Sequence, residues 1–190
     1  MEKINGYDEA QALTGEYEKL EAGGYICKII NAKEEQSKSG KKMLVIALDI
    51  EVGEHKGYYQ KRFNEAMKNA SPDKPAKWSG VYRQMLEGEK AAGYLKGLMT
   101  SLEASNQGFK WDWNEKKLVG LKCGAIFGEE EYEKMDGSIG TTTKIKFIRT
   151  IKSIQEGNFK IPELKKLPQK GEAFEDFVSS ISSNNEDLPF

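Results

Sequence analysis

The sequence predicts a small, mainly β domain that consists of five strands and one helix. Five short runs rich in β-branched and aromatic residues are separated by Gly, Pro, Asn and Asp, which typically bound strands. Between the third and the fourth run, a longer segment has apolar residues at helical spacing. The chain has 190 residues, which is enough for one domain with extensions at its ends.

The first three strands are expected in the first third of the chain. Residues 25–32 and 43–50 are apolar runs short enough for buried strands, and the basic loop 37–42 joins them. Residues 58–63 alternate aromatic and charged side chains, as a half-exposed strand does. Residues 64–79 contain two prolines and are interpreted as a long connection.

The helix is expected to begin at Ser79, which can cap it, and to end near Asn106. Its apolar positions form one stripe: Val81, Met85, Ala92, Leu95, Met99 and Leu102. Residues 118–127 and 141–151 then form a hairpin of strands four and five, with its turn at Asp136-Gly137. Three strands, a helix and two strands is the order of the OB-fold, a five-stranded barrel that binds oligonucleotides. Other small barrels and α+β sheets have the same number of elements.

Charge divides the chain into a basic body and two acidic ends. An N-terminal extension, residues 1–22, has a net charge of −4, and a tail, residues 171–190, has −5, whereas residues 23–170 have +8. The body comprises the predicted OB-fold domain, 23–155, and an extended segment, 156–170, packed on the barrel. A basic body attracts polyanions. The acidic tail, expected to be disordered, can compete for that surface or bind a basic partner.

Several functional classes are not favoured by the sequence. No run approaches the roughly 18 apolar residues of a membrane span, and the N-terminus lacks a secretion signal, so a cytoplasmic protein without membrane contact is expected. Cys27 and Cys123 lie in strand-like runs and are expected to be buried and reduced. No zinc-ligand spacing is present, and no metal or cofactor is expected. Asp49 and Glu51 are the best enzymatic pair, but no Glu-x-Lys follows in strand three, so catalysis is not expected.

Cations and aromatic rings are interleaved as single-stranded DNA binding requires, because cations meet phosphates and flat rings stack on unpaired bases. The candidate DNA-binding residues are Lys38, Lys41, Lys42, Tyr58, Tyr59, Lys61, Arg62, Lys77, Trp78, Lys144 and Lys146. Strand alternation would expose only one of the two tyrosines, and which one is left open. Trp111 and Trp113 are expected to be packed, as tryptophans usually are. Glu129–Glu131 would repel a phosphate nearby.

The end of the chain is similar to a known recruiting motif. Its last five residues, Glu186, Asp187, Leu188, Pro189 and Phe190, resemble the acidic tip of bacterial single-stranded DNA-binding proteins. In that family, the terminal phenylalanine and carboxylate dock into a pocket with a basic rim on helicases, nucleases and recombination proteins. The resemblance implies that this tail recruits a replication or recombination protein.

Residues 17–167 resemble a family of small phage-encoded proteins found beside recombination and replication genes, several of them regarded as single-stranded DNA-binding. The resemblance rests on Leu20-x-Ala22-Gly23-Gly24-Tyr25-x-Cys27-x-Ile29, Ser105-Asn106-x-Gly108-Phe109-x-Trp111-x-Trp113 and Gly157-x-Phe159-Lys160-Ile161-Pro162-x-Leu164-Lys165-Lys166-Leu167. It implies sequence-independent binding and protection of single-stranded DNA, in the host cytoplasm if the chain is phage-encoded. An adaptor whose barrel binds protein remains the alternative, and the choice between monomer and homodimer is open.

Overall fold

The computed structural model describes residues 19–168. The predicted acidic tail, 171–190, its tip and residues 1–18 lie outside this range. The described chain contains five strands, three α-helices and one 3₁₀ turn. In chain order they are β1 Gly23–Gln36, β2 Lys42–Ile50, α1 Tyr58–Lys68, β3 Val81–Met85, α2 Ala91–Ser105, the 3₁₀ turn Glu115–Leu118, β4 Lys122–Glu133, β5 Ile139–Arg149 and α3 Ile151–Gln155.

The five strands form one antiparallel sheet in the order β3-β2-β1-β4-β5. β1 is 14 residues long and pairs with two strands. Gly23–Lys28 pairs with β4, and Cys27–Gln36 pairs with β2. The register with β2 shifts between Ile29 and Asn31, and such a bulge bends a strand and increases its twist. The edge strands β3 and β5 lie beside each other, so the sheet curls around its own core.

The core lies on the inner face of the curled sheet. Alternation along β2 directs Leu44, Ile46, Leu48 and Ile50 inward, and all four are at most 4% exposed. Helix α2 adds a buried stripe against them that includes Leu102. Each fully buried aliphatic side chain contributes roughly 1.5–3 kcal/mol to folding relative to its exposed state. The inner face therefore supplies the main stabilisation of the fold.

The chain that follows β5 covers part of the outer face of β1 and β4. A Cβ atom on Gly24 would lie 2.5 Å from the Phe159 ring, and one on Gly124 would lie 2.6 Å from the Thr150 carbonyl oxygen. Only glycine permits these close approaches. Farther on, the Lys165 amide donates to the Glu129 carbonyl at 3.0 Å, which forms a short parallel bridge to β4. Residues 156–168 thus run along the sheet.

Two element predictions are wrong, as is the prediction of a single helix. The predicted third strand, 58–63, lies in α1, and the predicted first turns of the helix after Ser79 are instead β3, Val81–Met85. Val81 and Met85 are four residues apart, which satisfies both the helical and the strand period. Helix α1 is capped from a distance: the Asp49 carboxylate in β2 accepts hydrogen bonds from the backbone amides of Tyr59 at 2.9 Å and Gln60 at 3.3 Å.

The predicted connection 64–79 is also partly wrong, because α1 extends to Lys68. The remaining strand predictions and the predicted end of the helix are confirmed with shifted bounds. Strands one, two, four and five occur where apolar runs predicted them, and α2 ends beside Asn106. Cys27 and Cys123 are buried free thiols on opposite positions of β1 and β4, and burial raises the pKa of Cys123 to about 12. None of the described helices is long and apolar enough to span a membrane.

Replacing Asp49 tests the capping contact. Asp49→Ala is expected to lower the free energy of unfolding by about 2 kcal/mol, because backbone amides in a buried site lose their acceptor. Asp49→Asn keeps one acceptor oxygen and is expected to lose less. Urea unfolding followed by tryptophan fluorescence measures both losses. Equal losses, or no loss for the alanine variant, would contradict the capping role.

Candidate nucleic-acid interface

The turn between β1 and β2 holds two lysines in fixed positions. The Ser37 amide donates to the Lys41 carbonyl at 2.8 Å, and the Gly40 amide donates to the Ser37 carbonyl at 2.9 Å. Gly40 has φ +80°, a conformation that favours glycine. The side chains of Lys38 and Lys41 are exposed and form no ion pair within residues 19–168. The turn therefore presents two available cations.

The outer face of β1, β2 and β3 continues from this turn. Lys33 of β1 and Arg83 of β3 lie opposite Val45 of β2, and residues opposite each other share a face of the sheet. Lys33 pairs with Glu35 on the same strand, whereas Arg83 is exposed and forms no ion pair among the described residues. We refer to the outward side chains of these three strands, together with the turn lysines, as the β1–β3 face.

An arginine stacked on an exposed ring lies on the neighbouring strand, β5. The Arg149 guanidinium lies 5.1 Å from the centroid of the Phe147 ring, and Phe147 is 41% exposed. Burial raises the pKa of Tyr82 on β3, and the positive charge of nearby Arg149 opposes this rise. Because β3 and β5 lie beside each other, the stacked pair adjoins the β1–β3 face.

The predicted stacking tyrosines are both part of the core. Tyr58 is 8% and Tyr59 5% exposed, because α1 directs both rings inward, where Tyr59 stacks on Phe127 at 6.4 Å. The expectation that strand alternation exposes one of them is wrong. Arg62 donates to the Tyr58 hydroxyl at 2.7 Å, so this cation supports the helix that carries it. In this structure neither ring presents a face to a base.

The third predicted ring, Trp78, is also packed. Its Nε1–H donates to the Leu48 carbonyl at 3.0 Å, and its ring centroid lies 5.6 Å from that of Phe63. Lys61 and Lys77 are exposed nearby. This group lies beside Leu48, near the end of β2. At about 3.3 Å per strand residue, that end is roughly 25 Å from the turn between β1 and β2. The predicted cations therefore fall into separate groups on the surface.

The three glutamates that would repel DNA hold neighbouring segments to the sheet. Glu130 pairs with Lys144 at 2.9 Å, with Lys146, and with Lys165 at 4.0 Å. The hydrogen bonds from Lys146 and Lys144 lower the pKa of Glu130 to about 2. Lys144 and Lys146, both predicted to meet phosphates, are thus already paired within the protein.

The glutamates on either side of Glu130 act similarly. Glu129 pairs with Lys19 at 2.5 Å, and Glu131 accepts a hydrogen bond from the Leu167 amide at 3.0 Å. One carboxylate thus contacts the start of the described chain and the other its end. These structural contacts explain why glutamates stand at these positions of β4, and no ligand is needed to explain them.

The acidic pair considered for catalysis is engaged in structural contacts. Asp49 caps α1, and Glu51 pairs with Lys122 at 3.3 Å. Within residues 19–168, no group of His, Cys, Asp and Glu is arranged to hold a metal ion. Lys42 is likewise engaged, since it pairs with Glu34 at 3.4 Å.

Sequence reasoning missed Arg83, Phe147 and Arg149. Arg83 lies in a segment whose apolar spacing predicts a helix, although it belongs to β3. Phe147 and Arg149 are two apart on β5, so alternation places them on one face, but only the approach of β3 to β5 joins them to the other cations. The tail residues Glu186, Asp187, Leu188, Pro189 and Phe190 lie outside the described residues.

The chain belongs to the DUF669 family of proteins of unknown function, whose profile matches residues 5–117. No curated protein matches the chain. The matched span includes β1, β2, β3 and α2 and ends before β4. Membership therefore establishes the family, and the family description names no activity.

The contacts of Glu130 predict an acid-sensitive contribution to stability. Its pKa is lower in the folded protein than the ordinary value of 4.5, so the charged carboxylate stabilises the fold above pH 4.5. This contribution is lost as the pH falls toward about 2. Glu130→Gln should therefore flatten the dependence of the urea midpoint on pH between about pH 7 and about pH 3.

Glu163→Gln is the matched control, because Glu163 is exposed and forms no ion pair within the described chain. This variant should keep the acid dependence of the unaltered protein. The same acid dependence in the Glu130 variant would show that the lysine contacts contribute nothing.

Proposed function

We propose that this member of the DUF669 family is a sequence-independent single-stranded DNA-binding protein of phage replication or recombination, acting in the host cytoplasm without catalysis. The observation that carries the proposal is the surface formed by the β1–β3 face and the adjoining Arg149–Phe147 pair. This surface combines available cations with an exposed aromatic ring. Cations bind the DNA backbone, and a ring stacks on an unpaired base at about 1–3 kcal/mol per base.

We also propose that the folded body is an OB-fold. The strand order β3-β2-β1-β4-β5, the adjacent edge strands and the position of α2 between β3 and β4 support this assignment. OB-folds bind oligonucleotides on strands two and three and with the loops that join strands one to two and four to five. The β1–β3 face occupies the first two of these places. Helix α1, inserted between β2 and β3, is an addition to that arrangement.

Net charge supports a polyanionic ligand. Residues 19–168 contain 27 basic and 20 acidic residues, a net charge of +7. The glutamates of β4 are occupied by lysines and backbone amides. On the β1–β3 face, Lys33 pairs with Glu35, but Lys38, Lys41 and Arg83 form no ion pair within residues 19–168. A single strand is favoured over a duplex, because Phe147 can stack only on a base that is out of the double helix.

The C-terminal tip completes the proposed function. Glu186, Asp187, Leu188, Pro189 and Phe190 would recruit a helicase, nuclease or recombinase, with the phenylalanine as apolar anchor and the carboxylates facing a basic rim. This part of the proposal rests on the sequence resemblance alone. It assigns DNA binding and recruitment to different parts of the chain.

Removing three cations from the β1–β3 face tests the DNA-binding proposal. The variant Lys38→Ala/Lys41→Ala/Arg83→Ala should bind oligo-dT more weakly. The slope of log affinity against log salt concentration should fall by about 0.7 for each DNA phosphate that the variant no longer neutralises. Fluorescence anisotropy of labelled oligo-dT at several salt concentrations measures both quantities in the full-length protein.

The matched control removes three cations near α1, in the variant Lys61→Ala/Lys74→Ala/Lys77→Ala. This control has the same net charge as the first variant, but its log affinity should keep most of its dependence on log salt concentration. A larger change in this control would place the DNA path across α1. Failure of the unaltered protein to bind oligo-dT would favour the alternative, a protein-binding adaptor.

A further inference from the structure

A second surface feature is a groove of about 710 Å³ beside α2. Its apolar lining comes from Leu44 of β2, Leu86 after β3, Leu95 and Met99 of α2, and Trp111 and Trp113 in the segment that follows α2. The volume and the mixture of apolar and aromatic side chains are typical of ligand-binding clefts. We refer to this feature as the Trp groove.

One of its two tryptophans has an unused hydrogen-bond donor. The Nε1–H of Trp111 is buried and has no partner among the described residues, whereas the Trp111 backbone amide donates to Glu103 at 2.9 Å. Buried polar groups are nearly always hydrogen-bonded, so an unpaired one needs an explanation. The unpaired donor belongs to a ring that lines the groove, so a ligand bound there alters the surroundings of this NH.

The other tryptophan is held at the surface by an unusual backbone. Trp113 has φ +65°, the only positive value at a non-glycine residue within the described chain. Trp113 is 78% exposed, so the expectation that it is packed is wrong. Its ring lies 6.0 Å from that of Trp111, at an angle of 51°. Residues held in sparsely populated backbone regions are concentrated at ligand-binding sites. The geometry thus keeps a large ring exposed beside the unsatisfied donor.

Charge restricts the chemistry of the occupant. The groove is lined by three carboxylates, Glu34, Glu103 and Glu115, and by one cation, Lys96. Exposed lysines outside the lining pair with two of these carboxylates, Lys42 with Glu34 at 3.4 Å and Lys110 with Glu103 at 3.3 Å. Exposed ion pairs contribute only about 0–1 kcal/mol, so a bound cation can replace these lysines. Residues 1–18 and 169–190 of this chain have a net charge of −4 each, so neither segment is complementary to the groove. DNA is disfavoured for the same reason. A cationic group, by contrast, can contact both the carboxylates and the face of Trp113.

We infer that the Trp groove binds a peptide segment of a partner protein that carries an apolar side chain next to an arginine or lysine. The apolar side chain lies between Leu95, Met99 and Trp111, and the cation contacts Trp113 and the carboxylates. This site is distinct from the C-terminal tip, which offers the opposite charge to its partner.

The groove and the proposed DNA surface lie on opposite sides of the same strands. Lys33 and Glu34 are neighbours on β1 and point in opposite directions. Lys33 lies opposite Val45 on the outer face, and Glu34 lies opposite Leu44, which faces inward. A partner peptide and a DNA strand can therefore be bound at the same time.

The indole NH signals of ¹⁵N-labelled full-length protein give a direct readout, since the three tryptophans differ in their surroundings. The probes are a capped hexapeptide of alternating leucine and arginine, its leucine–glutamate counterpart, and oligo-dT. The leucine–arginine peptide should shift the Trp111 and Trp113 signals saturably. The Trp78 signal should stay in place, because its NH already donates to Leu48. Trp113→Ala should weaken peptide binding about tenfold or more.

Tyr94→Ala is the matched control, because Tyr94 is a 61% exposed aromatic residue of α2 that does not line the groove. It should leave peptide binding unchanged, and Trp113→Ala should leave oligo-dT affinity unchanged. Equal binding of the acidic peptide, or no shift of Trp111 with either peptide, would overturn the inference. A shift of Trp111 with oligo-dT would instead make the groove part of a nucleic-acid site.

Discussion

The rest of the structure depends on the pairing of β1 with two different strands. Gly23–Lys28 forms a ladder with β4 and Cys27–Gln36 forms one with β2, and the bulge between Ile29 and Asn31 bends the strand just after the two ladders overlap. This bend curls the sheet until β3 meets β5. It also fixes which side chains point outward: Lys33 reaches the β1–β3 face, and Glu34 reaches the Trp groove. One strand thus supports both proposed binding surfaces.

The surfaces of the protein differ in how many of their charged side chains form ion pairs. On β4, the glutamates are paired with lysines or accept backbone amides from the segments that flank the sheet. On the β1–β3 face, Lys38, Lys41 and Arg83 have no such partners among the described residues. Around Trp111 and Trp113, Glu34 and Glu103 pair with exposed lysines, and Glu115 has no ion-pair partner among the described residues. The proposed DNA ligand and the proposed peptide ligand therefore differ in charge, as their surfaces require.

Features that depend on local sequence could be predicted. The apolar runs around Ile29, Ile46 and Phe127 indicated strands, and Asp136-Gly137 indicated the hairpin turn. The predictions failed where a distant partner decides the structure. Helix α1 depends on a carboxylate nine residues before it, and its aromatic-charged alternation resembles a strand. In β3, the spacing of Val81 and Met85 fits both a helix and a strand, and only the pairing with β2 makes this segment a strand.

Less of the candidate site could be predicted, because most of its geometry depends on residues far apart in the sequence. Lys38 and Lys41 stand in an evident loop, and their exposure follows from the turn. The burial of Tyr59 and Trp78 could not be predicted, because it requires the packing of α1 and of its following connection. The stacked pair Arg149–Phe147 becomes part of a larger surface only through the approach of two strands far apart in sequence. Long-range contacts of this kind leave no periodic signal in the chain.

Ultraviolet cross-linking of full-length protein to oligo-dT, followed by peptide mapping, tests the central claim most directly. Cross-links are expected on the β5 peptide that contains Phe147 and on the turn between β1 and β2. They should persist when an excess of duplex DNA of the same length is added, because the ring contacts require unpaired bases. Cross-links confined to α1 or to the Trp groove, or their complete disappearance with the duplex competitor, would contradict the proposed single-strand binding surface.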